Sequence, residues 1–419
     1  MSTVLHYDIV VIGSGPAGQK AAIQGAKAGK HVAVIEREIG VGGGCVYRGT
    51  IPSKTLRESA LQLDRMKRSA ITPNAATPSN ILVATLMHRL DEVVTSHGDY
   101  MMNQLTRNGV TLFHGRAQFI SDSLIEMLTI DGMKQTLSAD TIVIATGSRP
   151  RAPVDIPIDH EHILDSDSIL SMIYLPRSLT VLGGGIIALE YASIFAALGV
   201  QVTIIDRADR PLQFFDTELV RMFVQSFEQA GGRYSGKQAI KDIRWDGISQ
   251  VVTTLQDGQV FTSDKMLVAL GRQANVEDLN LSTTGLIVTE KGTLAVNEHC
   301  QTAIPNIYGV GDLIGPPGLA SAAMEQGRRA VCHALGLPEG ESADIIPTGV
   351  YTIPEMASIG LDEATGLKRY RKVMIGRAKF NEIARGQISD IRDGLLKMVP
   401  IQRANTSLVF RLSEKAPRN

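Results

Sequence analysis

One pattern occurs twice in this chain and restricts its fold more than any other feature. Tyr7 to Ile12 is a short apolar run, broken only by Asp8, and it leads into Gly13-Ser14-Gly15-Pro16-Ala17-Gly18. An alanine-rich helical stretch follows to Gly29, then His31 to Ile35, then the acid Glu36. The same order returns with Leu179 to Leu182, Gly183-Gly184-Gly185-Ile186-Ile187-Ala188, a helical stretch to Gly199, Gln201 to Ile205, and Asp206. In both copies the acid lies 23 positions beyond the first glycine, from 13 to 36 and from 183 to 206.

Each of these positions has a physical task in a dinucleotide site. Gly13 and Gly183 permit the tight turn out of a strand. Gly15 and Gly185 let the backbone approach a pyrophosphate, and Gly18 and Ala188 let helix and strand pack closely. The pyrophosphate then rests on the positive helix N-terminus, and Glu36 and Asp206 accept hydrogen bonds from a ribose. A lone glycine triplet is weak evidence. Here each triplet has a strand before it, a helix after it and an acid at the expected distance, and the whole arrangement is duplicated. The pattern predicts an α/β chain with two Rossmann-like dinucleotide-binding domains.

Two further apolar stretches end in glycine, as ligand-lining turns of open α/β sheets do. Asp140 to Ala145 runs into Thr146-Gly147-Ser148, and Asp264 to Leu270 runs into Gly271-Arg272. Alone, each is more often a structural turn. Asn306 to Gly311 is another short strand, ending at Asp312. The expected division is 1–150 for the first unit, with a helical excursion between Thr55 and Gly109, and 151–270 for the second. Residues 271–345 return to the first unit, and 346–419 form a separate C-terminal segment.

Composition narrows the partners. The chain has 419 residues, 44% hydrophobic and 20% charged, with a net charge of −1. That balance gives no electrostatic reason to expect nucleic acid or an anionic membrane. Cys45, Cys300 and Cys332 are few, odd in number and far apart, as expected of a chain in a reducing, cytoplasmic setting. No basic segment precedes the apolar run that Asp8 breaks, so no signal peptide is read. Leu179 to Ile205 is nearly free of charge, but its three glycines and Glu190 favour strand, turn and buried helix over a membrane span.

The chain resembles the pyridine nucleotide–disulfide oxidoreductases, the family of dihydrolipoamide dehydrogenase and glutathione reductase, over residues 4 to about 397. The resemblance rests on the two glycine motifs, Gly42-Gly43-Gly44-Cys45, Ile51-Pro52-Ser53-Lys54, Ala145-Thr146-Gly147, Gly311-Asp312 and Tyr351-Thr352-Ile353-Pro354-Glu355. It implies that the first unit binds FAD and the second binds NAD(H) or NADP(H), with no metal. Glu36 would hold the adenosine ribose of FAD and Asp312 its ribityl chain. Gly43, Gly44, Cys45, Gly115 and Ala320 join the implied FAD set. Lys54 would lie beside the flavin and pair with Glu190, where a cation assists the hydride path.

Disulfide members of this family carry a Cys-x4-Cys pair here. Cys45 stands at the first position, but the second is Thr50, which takes no electrons, so the relay from flavin to dithiol is absent. Cys45 is read mainly as a small residue packed beside the flavin, with a reactive thiolate as the alternative. Electrons then leave to a second nicotinamide, a quinone or oxygen. Gly43-Gly44-Cys45 with Gly49-Thr50-Ile51-Pro52-Ser53-Lys54, Tyr351 to Gly360, Gly376-Arg377-Ala378 and Ala384-Arg385 are similar to one branch, the soluble Si-specific pyridine nucleotide transhydrogenases. Their reaction is NADPH + NAD+ ⇌ NADP+ + NADH. Asp206 suits the 2′-hydroxyl of NAD. Arg207 and Arg210 either offset its repulsion of a 2′-phosphate or are ordinary surface arginines.

The tail departs from the family. The resemblance holds through Gly394-Leu395-Leu396-Lys397, then Pro400 to Asn405 follows and the sequence stops at Asn419. Beyond 397 only Ser407 to Leu412 alternates, and residues 398–419 carry Arg403, Arg411, Lys415 and Arg418 against Glu414. A frameshift or truncation is the simplest account, a native short tail the other. The expectation is an incomplete α+β interface domain whose open sheet edge impairs the family homodimer and favours aggregation.

Overall fold

The computed structural model describes residues 4–68, 83–340, 345–370, 373–388, 394–400 and 407–413. The helical excursion of the sequence reading becomes two helices, Thr50–Arg68 and Val83–Arg107; its residues 69–82 lie outside the described set, as do Arg403, Glu414, Lys415 and Arg418 of the tail. The chain forms two compact units, each assembled from three separated stretches. Residues 1–52, 91–150 and 272–342 make the first, and 53–90, 151–271 and 343–419 the second.

In the first unit, strand Val4–Ile12 lies between two parallel neighbours, Val32–Glu36 and Lys134–Ile144. Thr111–Phe119 extends the sheet beside Val32–Glu36, and Ile307–Gly309 adds to Lys134–Ile144. Val10, Val11, Ile142 and Val143 are fully buried. Strands covered on both faces read as continuous apolar runs rather than alternating ones, which is why the sequence shows Ile9 to Ile12 unbroken. Helix Pro16–Lys27 starts with proline, whose missing N–H costs nothing at that position. Helix Ala320–Ala334 packs on it closely: a Cβ on Gly327 would stand 2.1 Å from the Ala17 carbonyl oxygen.

The second unit holds a five-stranded parallel sheet in the order Arg233–Ser235, Gln201–Ile205, Ser178–Leu182, Lys265–Val268, Ile163–Asp165. Helix Ile186–Ala197 is buried from Ala188 through Ala197. The uncharged stretch Leu179 to Ile205 is therefore strand, helix and strand within a core. Among the described residues, no helix is long and apolar enough to cross a membrane.

The same unit carries a five-stranded antiparallel sheet in the order Thr348–Val350, Glu355–Ser358, Ser407–Ser413, Leu395–Pro400, Gly376–Lys379. The one alternating stretch of the tail is its central strand. Lys397, on the neighbouring strand, is 2% exposed and lies 2.8 Å from Asp216, 3.0 Å from Glu218 and 2.6 Å from Glu363. Asp216 also caps helix Thr217–Gln229 by accepting the Glu218 N–H, so one carboxylate satisfies a helix end and a buried lysine together.

Candidate functional sites

The two glycine turns have the same geometry. Gly13 and Gly183 sit at φ +103° and +107°, a region where a side chain is strained. The Gly13 N–H donates to the Ile35 carbonyl at 2.8 Å, and the Gly183 N–H to the Ile205 carbonyl at 2.9 Å. Ala145 N–H donates to the Ile12 carbonyl, and Ala269 N–H to the Leu182 carbonyl. A Cβ on Gly13 would lie 2.5 Å from the Ala145 oxygen, and one on Gly183 2.7 Å from the Ala269 oxygen. The third position differs. A Cβ on Gly18 would come within 1.9 Å of the Gly13 oxygen, whereas Ala188 carries its methyl group fully buried.

Gly15 and Gly185 are the extended N-cap residues of the two helices, and a Cβ on either would meet nothing within 4 Å. Open space before a helix N-terminus, whose first-turn N–H groups have no acceptor within the helix, fits a pyrophosphate. In the first unit Glu36, 4% exposed, accepts the Ser14 N–H at 2.9 Å and the Ser14 hydroxyl at 2.6 Å on one oxygen, and the Glu38 N–H at 3.0 Å on the other. Gly42 N–H in turn donates to Ser14 Oγ. A carboxylate has about four acceptor positions, so this network aims Glu36 and leaves room for a ribose hydroxyl. Ser14, the residue between the motif's glycines, is the part that sequence reasoning passed over.

The other first-unit candidates fall around this turn or along the sheet. Gly43 stands against Gly15, with a built Cβ 3.1 Å from the Gly15 Cα, while Gly44 faces open space. Cys45 is partly exposed in the short helix Gly43–Tyr47. Asp312 accepts the Ser148 hydroxyl at 2.7 Å, and that hydroxyl accepts Arg272 Nε at 2.7 Å. Thr146 and Gly147 form the adjoining turn, anchored by the Thr146 hydroxyl on the Asn275 carbonyl. Gly311 N–H donates to Gln326 Oε1, and Ala320 opens helix Ala320–Ala334. Gly115 belongs to strand Thr111–Phe119, where a Cβ would strike the Leu128 carbonyl at 2.6 Å; strand packing explains this glycine.

In the second unit the structure brings Lys54 and Glu190 together. Lys54 Nζ lies 2.6 Å from Glu190 Oε2 and 4.8 Å from the centre of the Tyr351 ring. The other Glu190 oxygen accepts the Tyr351 N–H at 2.8 Å, and Ile353 N–H donates to Ser193 Oγ one turn along the same helix. Arg57, 1% exposed and on the Lys54 helix, donates to the Thr352 carbonyl and to Glu355. Glu190 is thus fixed from two sides, with the ammonium held over its outer oxygen. Thr50 opens helix Thr50–Arg68, one turn ahead of Lys54. Among the described residues no disulfide forms, and burial pushes the Cys300 thiol up to about 11.

Asp206 lies over the second glycine turn. A Cβ on Gly184 would meet its Oδ2 at 2.1 Å, and Tyr234 donates to that same oxygen at 3.2 Å. Gly271 ends the strand Lys265–Val268 region at φ +101°, its carbonyl accepting the Arg151 N–H. Arg207 is exposed. Arg210 donates to the carbonyls of Leu212, Gln213 and Phe215, so its guanidinium holds a loop. The two arginines therefore have different expected effects. Arg210→Ala is expected to lower the melting temperature and weaken both nucleotides, whereas Arg207→Ala weakens NADP(H) selectively in titrations; an equal loss of NAD(H) on Arg207→Ala removes it from phosphate recognition.

Comparison with known proteins follows the same lines. Residues 7–327 match the family model of the pyridine nucleotide-disulphide oxidoreductases, and residues 346–409 match the dimerisation domain of that family. The soluble pyridine nucleotide transhydrogenase of Mycobacterium bovis is 41% identical over 400 residues, covering 94% of this chain and 84% of the relative. That of Vibrio parahaemolyticus is 40% identical over 403 residues, covering 95% and 86%. Among solved structures, LpdA from Mycobacterium tuberculosis superposes with a TM-score of 0.89 at 26% identity, covering 98% of this chain and 90% of the other. A Cu(II) complex of the flavoprotein disulfide reductase RclA from Escherichia coli gives 0.87 at 25% identity, covering 97% and 89%.

Proposed function

The chain belongs to the pyridine nucleotide-disulphide oxidoreductases, and from that premise we propose that it is an FAD-dependent enzyme transferring hydride between NADPH and NAD+ without a redox disulfide. Thr50 at the position of the second redox cysteine carries this reading; the transhydrogenase relatives, alike over nearly the whole chain, support it. FAD, when bound, supplies the two-electron acceptor that takes hydride from one nucleotide and returns it to another. Glu36 and the first glycine turn would hold its adenosine half, and Asp312, set by Ser148, its ribityl chain. Lys54 would place a positive charge, directed by Glu190, where negative charge develops. Asp206 would take the adenosine ribose of the nicotinamide nucleotide.

The deciding experiment is anaerobic. The yellow protein is reduced with NADPH, then mixed with NAD+ or thio-NAD+. Rapid return of the oxidised flavin spectrum is expected; return only with air or a quinone overturns the reading in favour of an oxidase or quinone reductase. A second outcome follows from the turn geometry. Gly13→Ala adds a methyl group 2.5 Å from a backbone oxygen at a φ of +103°, and the variant is expected to purify without FAD, checked by its visible spectrum. We assign residues 346–409, matched to the family's dimerisation domain, to pairing two copies of the chain, tested by native mass spectrometry.

A further inference from the structure

A transhydrogenase has to accept both nicotinamide dinucleotides at one site, and Asp206 alone favours NAD over NADP. The position of that carboxylate is itself governed. It ends strand Gln201–Ile205, and Oδ2 fits above the turn only because Gly184 has no side chain. Tyr234, half-buried on the adjacent parallel strand Arg233–Ser235, reaches Asp206 Oδ2 and the Ala208 carbonyl, each at 3.2 Å. The strands are further tied by Asp206 N–H on the Ser235 carbonyl and Gln238 N–H on the Asp206 carbonyl. The main chain of Asp206 is therefore fixed, and the Tyr234 hydroxyl is the side-chain donor that sets its carboxylate.

We infer that Tyr234 is a positioning residue for nucleotide choice: its hydroxyl holds the Asp206 carboxylate in the orientation that accepts a 2′-hydroxyl, and so sets the ratio of NAD to NADP binding. The inference rests on the reading of Asp206 as the ribose acceptor. One phenolic proton shared between a carboxylate and a carbonyl is a modest restraint, which suits an enzyme that must also admit the 2′-phosphate. Burial, and then the Asp206 charge, push the Tyr234 phenol well above its usual range, so it stays protonated and acts as a donor throughout the working pH range.

The test is calorimetric titration of the FAD-loaded enzyme with NAD+ and with NADP+, neither of which reduces the flavin. Tyr234→Phe keeps the ring and removes the donor. The dissociation constant for NAD+ is expected to rise about fivefold, the size of one ordinary hydrogen bond, with that for NADP+ changed by less than about twofold. Repeating the change in an Asp206→Asn background closes a double-mutant cycle. If Tyr234 acts through Asp206, the selective effect vanishes there. Equal weakening of both nucleotides, or a selective effect that persists without the Asp206 charge, overturns the inference. Asp206→Asn alone reports separately on the underlying reading: an unchanged NAD+ to NADP+ ratio in that variant removes Asp206 from the ribose and takes the inference with it.

Discussion

Lys54→Met is expected to slow reduction of the bound flavin by NADPH by about 10²- to 10³-fold, the range for losing one preorganised charged group at a reacting centre. The side chain keeps its length and loses its charge. Glu190 then remains 5% exposed, with its Tyr351 N–H bond intact but without the ammonium 2.6 Å from its other oxygen. An orphaned buried carboxylate adds a stability cost of its own. Stopped-flow mixing under argon, monitored in the flavin band, measures the rate, and a thermal melt shows whether the variant is folded. Glu190→Gln separates the two contributions, since it keeps the Tyr351 contact while withdrawing the charge that directs Lys54. A Lys54→Met enzyme reduced at the wild-type rate would exclude the lysine from the reaction.

The largest effect on stability is expected from Lys397→Ala, a loss of about 3–5 kcal/mol, since removing one member of a buried ion pair strands the other. Lys397 and Asp216 are each 2% exposed and 2.8 Å apart. Urea unfolding followed by circular dichroism checks the value; Lys397→Met, which fills the space but still strands Asp216, should recover only part of it. The same cluster sets an acid limit. Arg377 holds the Glu218 carboxyl at about 2, with Lys397 adding to the effect. A carboxyl depressed in the folded state contributes stability above its unfolded value of 4.5 and loses it as pH falls toward about 2. Burial alone would lower the Lys397 value, but its three carboxylates outweigh that and raise it above the ordinary 10.5, so the stability it contributes is fully present at every pH below that ordinary value. Melting temperature should therefore fall through the acid window and stay level across neutral pH.

What the sequence disclosed followed from chemistry that is local. The glycine turns, the strands around them and the acids 23 positions on are all encoded within some thirty residues, and their matching hydrogen bonds in the two units reflect that. Lys54 and Glu190 are 136 positions apart; only the family resemblance coupled them, since no periodicity links residues on two helices so far apart in the chain. Ser14 was hidden because a serine between two glycines reads as a turn residue. Tyr234 was hidden because it looks like any half-buried strand tyrosine until its neighbour is known. Lys397 and Asp216 are 181 positions apart, and a lone lysine in a strand reads as solvent-facing until its carboxylate partners are known. The tail's alternating stretch was legible as a strand, but its place at the centre of five is decided by partners elsewhere in the chain.

The way each unit is assembled from separated stretches bears on the order in which the chain acquires structure during synthesis. The first unit needs nothing beyond residue 342, whereas the second draws on residues 343–419, including the strand Ser407–Ser413 that joins Glu355–Ser358 to Leu395–Pro400. A chain emerging from the ribosome can therefore close its first sheet while the second unit still waits for its middle strand. Contacts as distant as Arg57 to Glu355, 298 positions, have to be made late and against a large loop-closure entropy. Until then, strand edges and apolar surface of the second unit stand open, and this interval between translation and closure is when the nascent protein most needs protection.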